Sequence, residues 1–347
     1  MLRQVQRHCF FVRFVIKNSE SGIDCKNTIN NCQITLTNNI TLDIIFYKNN
    51  VILRGGAMQD LIRKIRNHLN MSQTEFAEKL NVSFATVNRW ENGRAIPNKL
   101  AQSQIFELCR EKSVPVYDMT LQRITDAANT VKLPSGRILL YHGSKSGVEG
   151  DIAPISRKQC DFGRGFYMGT DPAQPLTLIC DYEKSKFYIV TVNLNDLETL
   201  EVPADIDWAM LVAYHRGKME KINGTVLYNK YRDMASAKDI IIGSIANDRM
   251  FYVIDNFFIG GITDAALVGS LSALRLGKQY VAVSDKACKA VRIEAEVSIS
   301  YLERLFLKEV AEENRAKGIS LANDICKSHR REGLYFDEIL ENANNEV

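Results

Sequence analysis

The 347-residue chain has no apolar run approaching the roughly 20 residues that a membrane-spanning helix requires. Its first 17 residues are partly apolar, but Arg13 interrupts them and no small-residue cleavage site follows. We therefore expect neither a membrane span nor a signal peptide. Without either segment, we expect the protein in the cytoplasm.

Cysteine spacing of the kind that holds a metal or a redox centre is also absent. None of the eight cysteines stands in a Cys-x-x-Cys pair, and none is paired with a histidine at ligand spacing. His215 and His329 have no companions at ligand spacing, and Cys160 has no evident base partner. The pattern predicts free thiols in a reducing compartment, with no zinc site and no Ser or Cys hydrolase.

Charge is unevenly spread along the chain, whose net value is +3. Residues 1–57 carry seven Lys or Arg against three acidic residues, and residues 58–115 carry nine against six. The remaining residues carry 28 basic against 32 acidic side chains. An acidic C-terminal part argues against its tracking an extended nucleic acid.

Residues 1–57 show little periodicity, although residues 34–46 would fit two strands. An Arg-Gly-Gly run stands just before Met58, and a purine stretch typical of ribosome-binding sequences would encode it. One hypothesis is that the natural chain begins at Met58. The alternative is a genuine, irregular N-terminal extension, and N-terminal mass spectrometry of the native protein would decide between them.

Two capped helices are predicted within residues 58–115. Apolar residues recur at helical spacing over residues 61–69. Ser72 is a good N-cap, with Glu75 three residues later as in a capping box. A second cap, Ser83, opens a helix that Gly93 is suited to end. The spacing predicts a helix-turn-helix.

The run Ser-Gln-Thr-Glu-Phe-Ala, followed by Thr-Val-Asn-Arg-Trp-Glu-Asn-Gly, resembles phage Cro/repressor-type DNA-binding domains. In that family the second helix enters the major groove. The residues that the resemblance assigns to DNA are Gln73, Ser83, Phe84, Thr86, Asn88 and Arg89. Val87 and Trp90 lie three apart and are expected in the core. The alternative is a helical protein-interaction unit that does not bind DNA.

Strand-like segments interspersed with short helical ones begin at residue 137. The strand candidates are residues 138–141, 187–194, 239–242 and 280–283, and the helical candidates are 172–182, 206–219 and 263–274. We expect a linker with a helical piece over 116–136, an α+β domain over 137–298 and a helical extension over 299–347. Trp208 is expected to pack in the core.

Three stretches of this domain resemble the ADP-ribosyltransferase fold. They read Ile-Leu-Leu-Tyr-His-Gly-Ser at 138–144, Asp-Phe-Gly-Arg-Gly-Phe-Tyr at 161–167 and Lys-Gln-Tyr-Val-Ala-Val at 278–283. The branch is that of poly(ADP-ribose) polymerases and diphtheria toxin, and the chain looks closest to a bacterial family catalogued as a domain of unknown function. The resemblance implies an α+β split β-sheet and NAD as cofactor.

The same resemblance implies roles for individual residues. His142 would bond the nicotinamide ribose, the Gly143 backbone the carboxamide, and Tyr167 would stack on the nicotinamide ring. Ser144 and Gly165 belong to the same cofactor-binding set. Gln279 would be the third catalytic residue beside His142 and Tyr167, although the family has a glutamate there.

A glutamine cannot act as a base, so three explanations stay open. In the first, the acceptor needs no base, and in the second, the domain binds NAD or ADP-ribose without turnover. In the third, another carboxylate enters the site, and the candidates are Asp248, Glu294 and Glu296. Asn247 and Asp248 could line the site, but a turn-forming role is the better expectation.

Two functions follow from these resemblances. One is an NAD-dependent ADP-ribosyltransferase with its own DNA-binding domain, as in a toxin or a phage-defence effector. The alternative is a transcription regulator whose C-terminal domain senses NAD or ADP-ribose. The expected partners are duplex DNA, NAD and an ADP-ribose acceptor that is a protein or a nucleic acid; an antitoxin and a second copy of the chain are further candidates.

Overall fold

The computed structural model describes residues 31–36, 40–47, 50–54, 57–246, 248–273, 277–329 and 332–345. Side chains are described for residues 58–246, 250–271, 277–329 and 332–345. Our expectations for Asn247, for the Asp248 side chain and for residues 1–30 lie outside these ranges.

The first part of the structure with described side chains is a helical bundle. Its helices are α1 (Ala57–His68), α2 (Gln73–Lys79), α3 (Phe84–Glu91), α4 (Lys99–Glu111) and α5 (Val116–Asn129). Ser72 caps α2 in a complete capping box with Glu75, and Ser83 caps α3. Gly93 follows α3 with a φ of +67°, a conformation that glycine adopts without strain. The predicted helix-turn-helix is therefore confirmed.

The core of the bundle fixes α3 against α1 and α2. Ile65, Phe76 and Val87 are completely buried, and Trp90 is 5% exposed. Val87 and Trp90 therefore pack inside, as their spacing predicts.

A mixed sheet forms the second part. Its seven strands are β4 (Arg137–Ser144), β5 (Phe166–Gly169), β6 (Lys186–Asn193), β7 (Thr199–Glu201), β8 (Ile240–Ser244), β9 (Lys278–Ala282) and β10 (Val291–Val297). Their order is β10-β6-β4-β5-β9-β8-β7, and only β7 and β8 pair in parallel within this set.

Three strands of the N-terminal segment extend this sheet: β1 (Asn31–Leu36), β2 (Ile40–Tyr47) and β3 (Asn50–Arg54). They form an antiparallel meander, and β3 pairs in parallel with β10. The sequence predicts at most two strands here, so the described part of this segment is more regular than expected.

The sheet is split between β4 and β5. These neighbours pair only at Tyr141 and Gly169, whereas β4 pairs with β6 at eight positions. Beyond Tyr141, the last three residues of β4 therefore diverge from β5. The split lies at the end of the strand that carries His142.

Helices cover the sheet. They are α6 (Ala173–Ile179), α7 (Ile206–His215), α8 (Val226–Met234), α9 (Asp248–Phe258), α10 (Asp264–Ala273), α11 (Asp285–Ala290), α12 (Tyr301–Ser328) and α13 (Phe336–Asn345). Trp208 is completely buried and its Nε1 donates to Ser244 O over 2.9 Å, which confirms its packing role. None of the helices in the described ranges is long and apolar enough to cross a membrane.

Two helices join the bundle to the sheet. Helix α5 occupies the stretch where the sequence predicts a linker, and its Ile124 packs in one cluster with Tyr141 and Leu176. Helix α12 contributes Leu302 and Phe306 to the core of the bundle. The two parts therefore share buried side chains.

Candidate functional site

His142 lies at the split between β4 and β5. Its Nδ1 is 2.7 Å from the Tyr167 carbonyl oxygen, and its ring stacks on Phe166 with centroids 4.1 Å apart. A carbonyl only accepts, so Nδ1–H donates and Nε2 of the neutral ring remains an acceptor. Burial lowers the pKa of His142 to about 4, which keeps the imidazole neutral at physiological pH.

Tyr167 is anchored through its hydroxyl. The hydroxyl donates to Gly163 O over 2.8 Å and accepts from Phe162 N over 3.1 Å. Burial raises the pKa of this phenol, so it stays protonated and can make both bonds. The ring is therefore held at both ends, by the strand and by the loop before it.

The rings of His142 and Tyr167 lie on opposite faces of the sheet. Successive strand residues point to opposite faces, and the His142 ring stacks on Phe166, the neighbour of Tyr167. The Gln279 side chain shares the Tyr167 face, because Gln279 pairs with Gly169 across β5 and β9. A ligand touching all three predicted residues must therefore lie across the split.

Gln279 is 5% exposed and has its amide fixed by two acceptors. Its Nε2 donates to Asp161 Oδ2 over 2.9 Å and to Ser244 O over 3.0 Å. Neither partner can donate when Asp161 is ionised, so the NH₂ group must face them. Within the described part of the chain, Oε1 receives no hydrogen bond and stays available as an acceptor.

Asp161 is the carboxylate that sequence reasoning missed. Besides Gln279, it accepts from Arg216 Nη2 over 2.6 Å and from Ala246 N over 3.0 Å. The side chain is 7% exposed, so this is a buried ion pair. Asp161 stands in the quoted 161–167 stretch, but no sequence signal pointed to its partner Arg216.

One short loop connects the two predicted catalytic residues. Asp161 binds Gln279, while Phe162 N and Gly163 O bind the Tyr167 hydroxyl. Gly163 has a φ of +76°, which favours glycine. The loop thus sets the position of Tyr167 relative to Gln279.

Glycine and serine at the remaining predicted positions have local structural roles. A Cβ on Gly143 would lie 2.7 Å from Pro175 O, and one on Gly165 would lie 2.4 Å from Val281 Cγ1. Ser144 Oγ donates to Gly147 O over 2.8 Å and closes a turn. Contact of these residues with a cofactor stays a prediction.

Glu294 and Glu296 do not lie beside Gln279. Both belong to β10, which β6, β4 and β5 separate from β9. Glu294 accepts from Thr191 Oγ1 over 2.6 Å, and Glu296 pairs with Lys186 at 3.1 Å. Strand order therefore keeps both carboxylates away from Gln279, so neither stands at the position where the family has its glutamate.

The helix-turn-helix presents part of the predicted DNA-contacting set. Phe84 is 52% exposed, Ser83 and Arg89 are exposed, and Thr86 and Asn88 are half-buried. Ser83 Oγ is engaged as the cap, accepting from Thr86 N over 3.2 Å. Phe84 and Arg89 are thus the large side chains of the set that α3 offers to a partner.

Gln73 belongs to a network between helices, and its contact with DNA stays a prediction. Its Nε2 donates to Glu91 Oε2 over 2.6 Å, and Asn88 Nδ2 donates to Gln73 Oε1 over 3.2 Å. Glu91 is 2% exposed and also accepts from Arg66 Nε over 2.6 Å. This network, which holds α3 against α1 and α2, was not predicted from the sequence.

Comparison with protein families gives two matches. Residues 62–101 match a family described as Helix-turn-helix, and residues 138–293 match one described as Protein of unknown function (DUF3990). No curated protein and no solved structure matches the chain. The first match agrees with the helix-turn-helix and supports DNA binding, whereas the second describes no activity.

Proposed function

We propose that residues 137–298 bind NAD and transfer its ADP-ribosyl group, and that the helix-turn-helix directs the protein to DNA. The observation that carries the proposal is the neutral His142, fixed at the split with an Nε2 acceptor that bonds to none of the described residues. The order of the three stretches around His142, Tyr167 and Gln279 supports it further.

The hydrogen-bond acceptors of this site match the hydroxyl donors of a ribose. His142 Nε2 and Gln279 Oε1 are both neutral acceptors, and ribose hydroxyls are donors. Tyr167 adds an aromatic ring whose position is fixed by its hydroxyl. A ligand lying across the split can use these groups together.

Bound NAD would supply the reactive bond, between nicotinamide and ribose. In this proposal His142 and Gln279 orient the ribose through its hydroxyls, and Tyr167 supports the ring that leaves. Asp161 does not touch the ligand; it positions Gln279 and carries negative charge one hydrogen bond away. Preorganised charge of this kind favours a transition state in which positive charge develops on the ribose.

A second function is favoured by the neutrality of Gln279. Both oxygens of Asp161 already accept hydrogen bonds, so neither residue offers a free base for an acceptor. The domain would then sense NAD or ADP-ribose and report it to the DNA-binding bundle. The protein would be a regulator without turnover.

Nicotinamide release and label transfer separate the two functions. The full chain is incubated with NAD labelled in its adenylate part, with cell extract as the acceptor source. We expect nicotinamide release, transfer of label to a macromolecule, and loss of both in His142→Ala. The matched control is His68→Ala, an exposed histidine at the end of α1, which should retain activity.

The other outcomes of this experiment distinguish between the two functions or exclude both. Saturable NAD binding without nicotinamide release would support the sensor and exclude the transferase. Absence of binding of both NAD and ADP-ribose by the wild-type chain would overturn both functions. Equal losses in His142→Ala and His68→Ala would show that the loss is not specific to His142 and would contradict the site assignment.

A further inference from the structure

A concave site lies beside Arg216. It is a cavity of about 590 Å³ whose lining includes Arg157, Lys158, Arg216, Lys218, Phe251 and Asp255. Ligand pockets for small molecules commonly have volumes of about 300–1,000 Å³. The cavity is therefore large enough for a nucleotide-sized group.

The lining is strongly basic in a part of the chain that is otherwise acidic. Lys218 is paired with Asp255 at 2.7 Å, and Arg216 is paired with Asp161 at 2.6 Å. Arg157 and Lys158 are exposed, and their side chains form no ion pair or hydrogen bond with the described residues. Two uncompensated positive charges thus stand at the cavity.

Arg216 is held rigidly and retains an unused donor. Its guanidinium carbon lies 3.3 Å from the centroid of the Phe251 ring, and Nη2 binds Asp161. Its Nε is buried and has no partner among the described residues. Buried donors without a partner are rare, and a planar guanidinium fixed in this way suits an anionic oxygen.

We propose that this cavity binds the phosphate groups of a small nucleotide. Arginine and lysine are the residues that recognise phosphate oxygens, and here four of them converge on one concave site. Asp255 on the lining and the acidic character of residues 116–347 favour a compact ligand over a long polyanion. The inference goes beyond the proposed function, since it requires no bond cleavage.

Direct binding of ADP tests the proposal, because ADP has the phosphates but no nicotinamide. Calorimetric titration compares the full wild-type chain with Arg157→Glu/Lys158→Glu. The control is Lys289→Glu/Arg292→Glu, which changes the net charge equally at exposed positions on α11 and β10. We expect binding about tenfold weaker or more in the cavity variant, as lost contacts to a charged group would cause, and unchanged binding in the control.

Several outcomes would overturn the proposal. One is no ADP binding by the wild-type chain, and another is equal weakening in both variants, which would indicate only a general charge effect. Tighter binding of a 5′-phosphorylated single-stranded DNA than of ADP, with the same loss in the variant, would exclude a compact ligand. If charge reversal prevents folding, Arg157→Gln/Lys158→Gln replaces it. Nicotinamide release, measured in parallel on the same variants, reports on the proposed function separately from ADP binding.

Discussion

The buried contact between Asp161 and Gln279 explains why a glutamine stands at the start of β9. Its two N–H donors satisfy the Asp161 carboxylate and the Ser244 carbonyl at 2.9 and 3.0 Å. A glutamate would bring a second carboxylate against Asp161 and remove one hydrogen bond from each acceptor, unless one acid took up a proton. The amide at this position is therefore matched to Asp161.

Exchanging the Asp161 carboxylate and the Gln279 amide tests whether the two side chains are matched. Gln279→Glu should lower the free energy of unfolding at neutral pH by about 1–3 kcal/mol, since buried hydrogen bonds are lost and two carboxylates meet. Asp161→Asn should also lower the free energy of unfolding, because it leaves Arg216 without its charge partner. Asp161→Asn combined with Gln279→Glu restores a donor opposite a carboxylate and should recover part of the loss.

Urea unfolding of the wild-type chain, both single variants and the double variant gives the coupling energy as a double-mutant cycle. Strictly additive losses would show that the two side chains do not act as a pair. His142→Ala in the same series serves as a reference whose effect should add to each variant, because the hydrogen-bond partner of His142 is the Tyr167 backbone.

Sequence reasoning could reach only part of this site. The resemblance predicts one site for His142 and Tyr167, but it does not predict the contact between the His142 ring and the Tyr167 carbonyl. Asp161 and Gln279 are 118 residues apart, and only the pairing of β9 with β5 and β8 brings them together. Arg216 follows α7 in a segment with no distinguishing pattern.

At the scale of elements, α3 is the best-defined candidate for DNA recognition. Glu91 at its C-terminal end accepts from Arg66 on α1 and from Gln73 on α2. Burial of this carboxylate with two donors fixes the rotation of α3 about its own axis. The face left outward carries Phe84 and Arg89.

Arg89→Ala should weaken binding to a preferred duplex by about 1–3 kcal/mol and reduce discrimination against a scrambled one. The preferred duplex is first selected from a random pool with the wild-type chain. Fluorescence anisotropy over a range of salt concentrations then compares both duplexes. Lys112→Ala, an exposed lysine after α4 that pairs with Glu111, is the control and should change neither.

Equal losses on both duplexes would mean that Arg89 contacts only phosphate. Binding that is absent at low salt in the wild-type chain would favour a protein-interaction role for the bundle, since DNA binding depends steeply on salt.

Helices and strands were predicted from the sequence where the local sequence pattern was strong, and missed where it was weak. The helices that begin after Ser72 and Ser83 were predicted, because a serine N-cap can be recognised from the sequence. Strands β5 and β7 have four and three residues, too few for a period-two pattern to be visible. The 28-residue helix α12 was expected only as part of a helical extension over 299–347.

For the whole molecule, α12 makes the DNA-binding bundle and the sheet domain interdependent. Its Leu302 is completely buried in the bundle core, and Leu302 N donates to Gln102 Oε1 over 2.9 Å. Phe306 packs against Phe106 with ring centroids 4.7 Å apart. Leu307, the next residue, belongs to the cluster beneath the sheet. Such sharing cannot be predicted from residues 58–115 alone, because the partner lies some 200 residues later.

Phe306→Ala should therefore destabilise the bundle by about 3–5 kcal/mol, the usual cost of removing a buried aromatic side chain. The chain has two tryptophans, and they report separately on the two parts: Trp90 lies in the bundle and Trp208 in the sheet domain. Trp208→Phe and Trp90→Phe backgrounds isolate each signal during thermal unfolding. With Phe306 present, we expect both signals to change at one midpoint.

In Phe306→Ala the Trp90 midpoint should fall below the Trp208 midpoint, because the bundle loses its anchor while the sheet keeps its own core. Phe84→Ala is the matched control: Phe84 is 52% exposed, so its removal should leave both midpoints in place. If the two midpoints still coincide in Phe306→Ala and both fall, the parts are coupled through contacts other than this one, such as α5. If neither midpoint moves, α12 does not stabilise the bundle, and the helix-turn-helix folds independently of the domain that follows it.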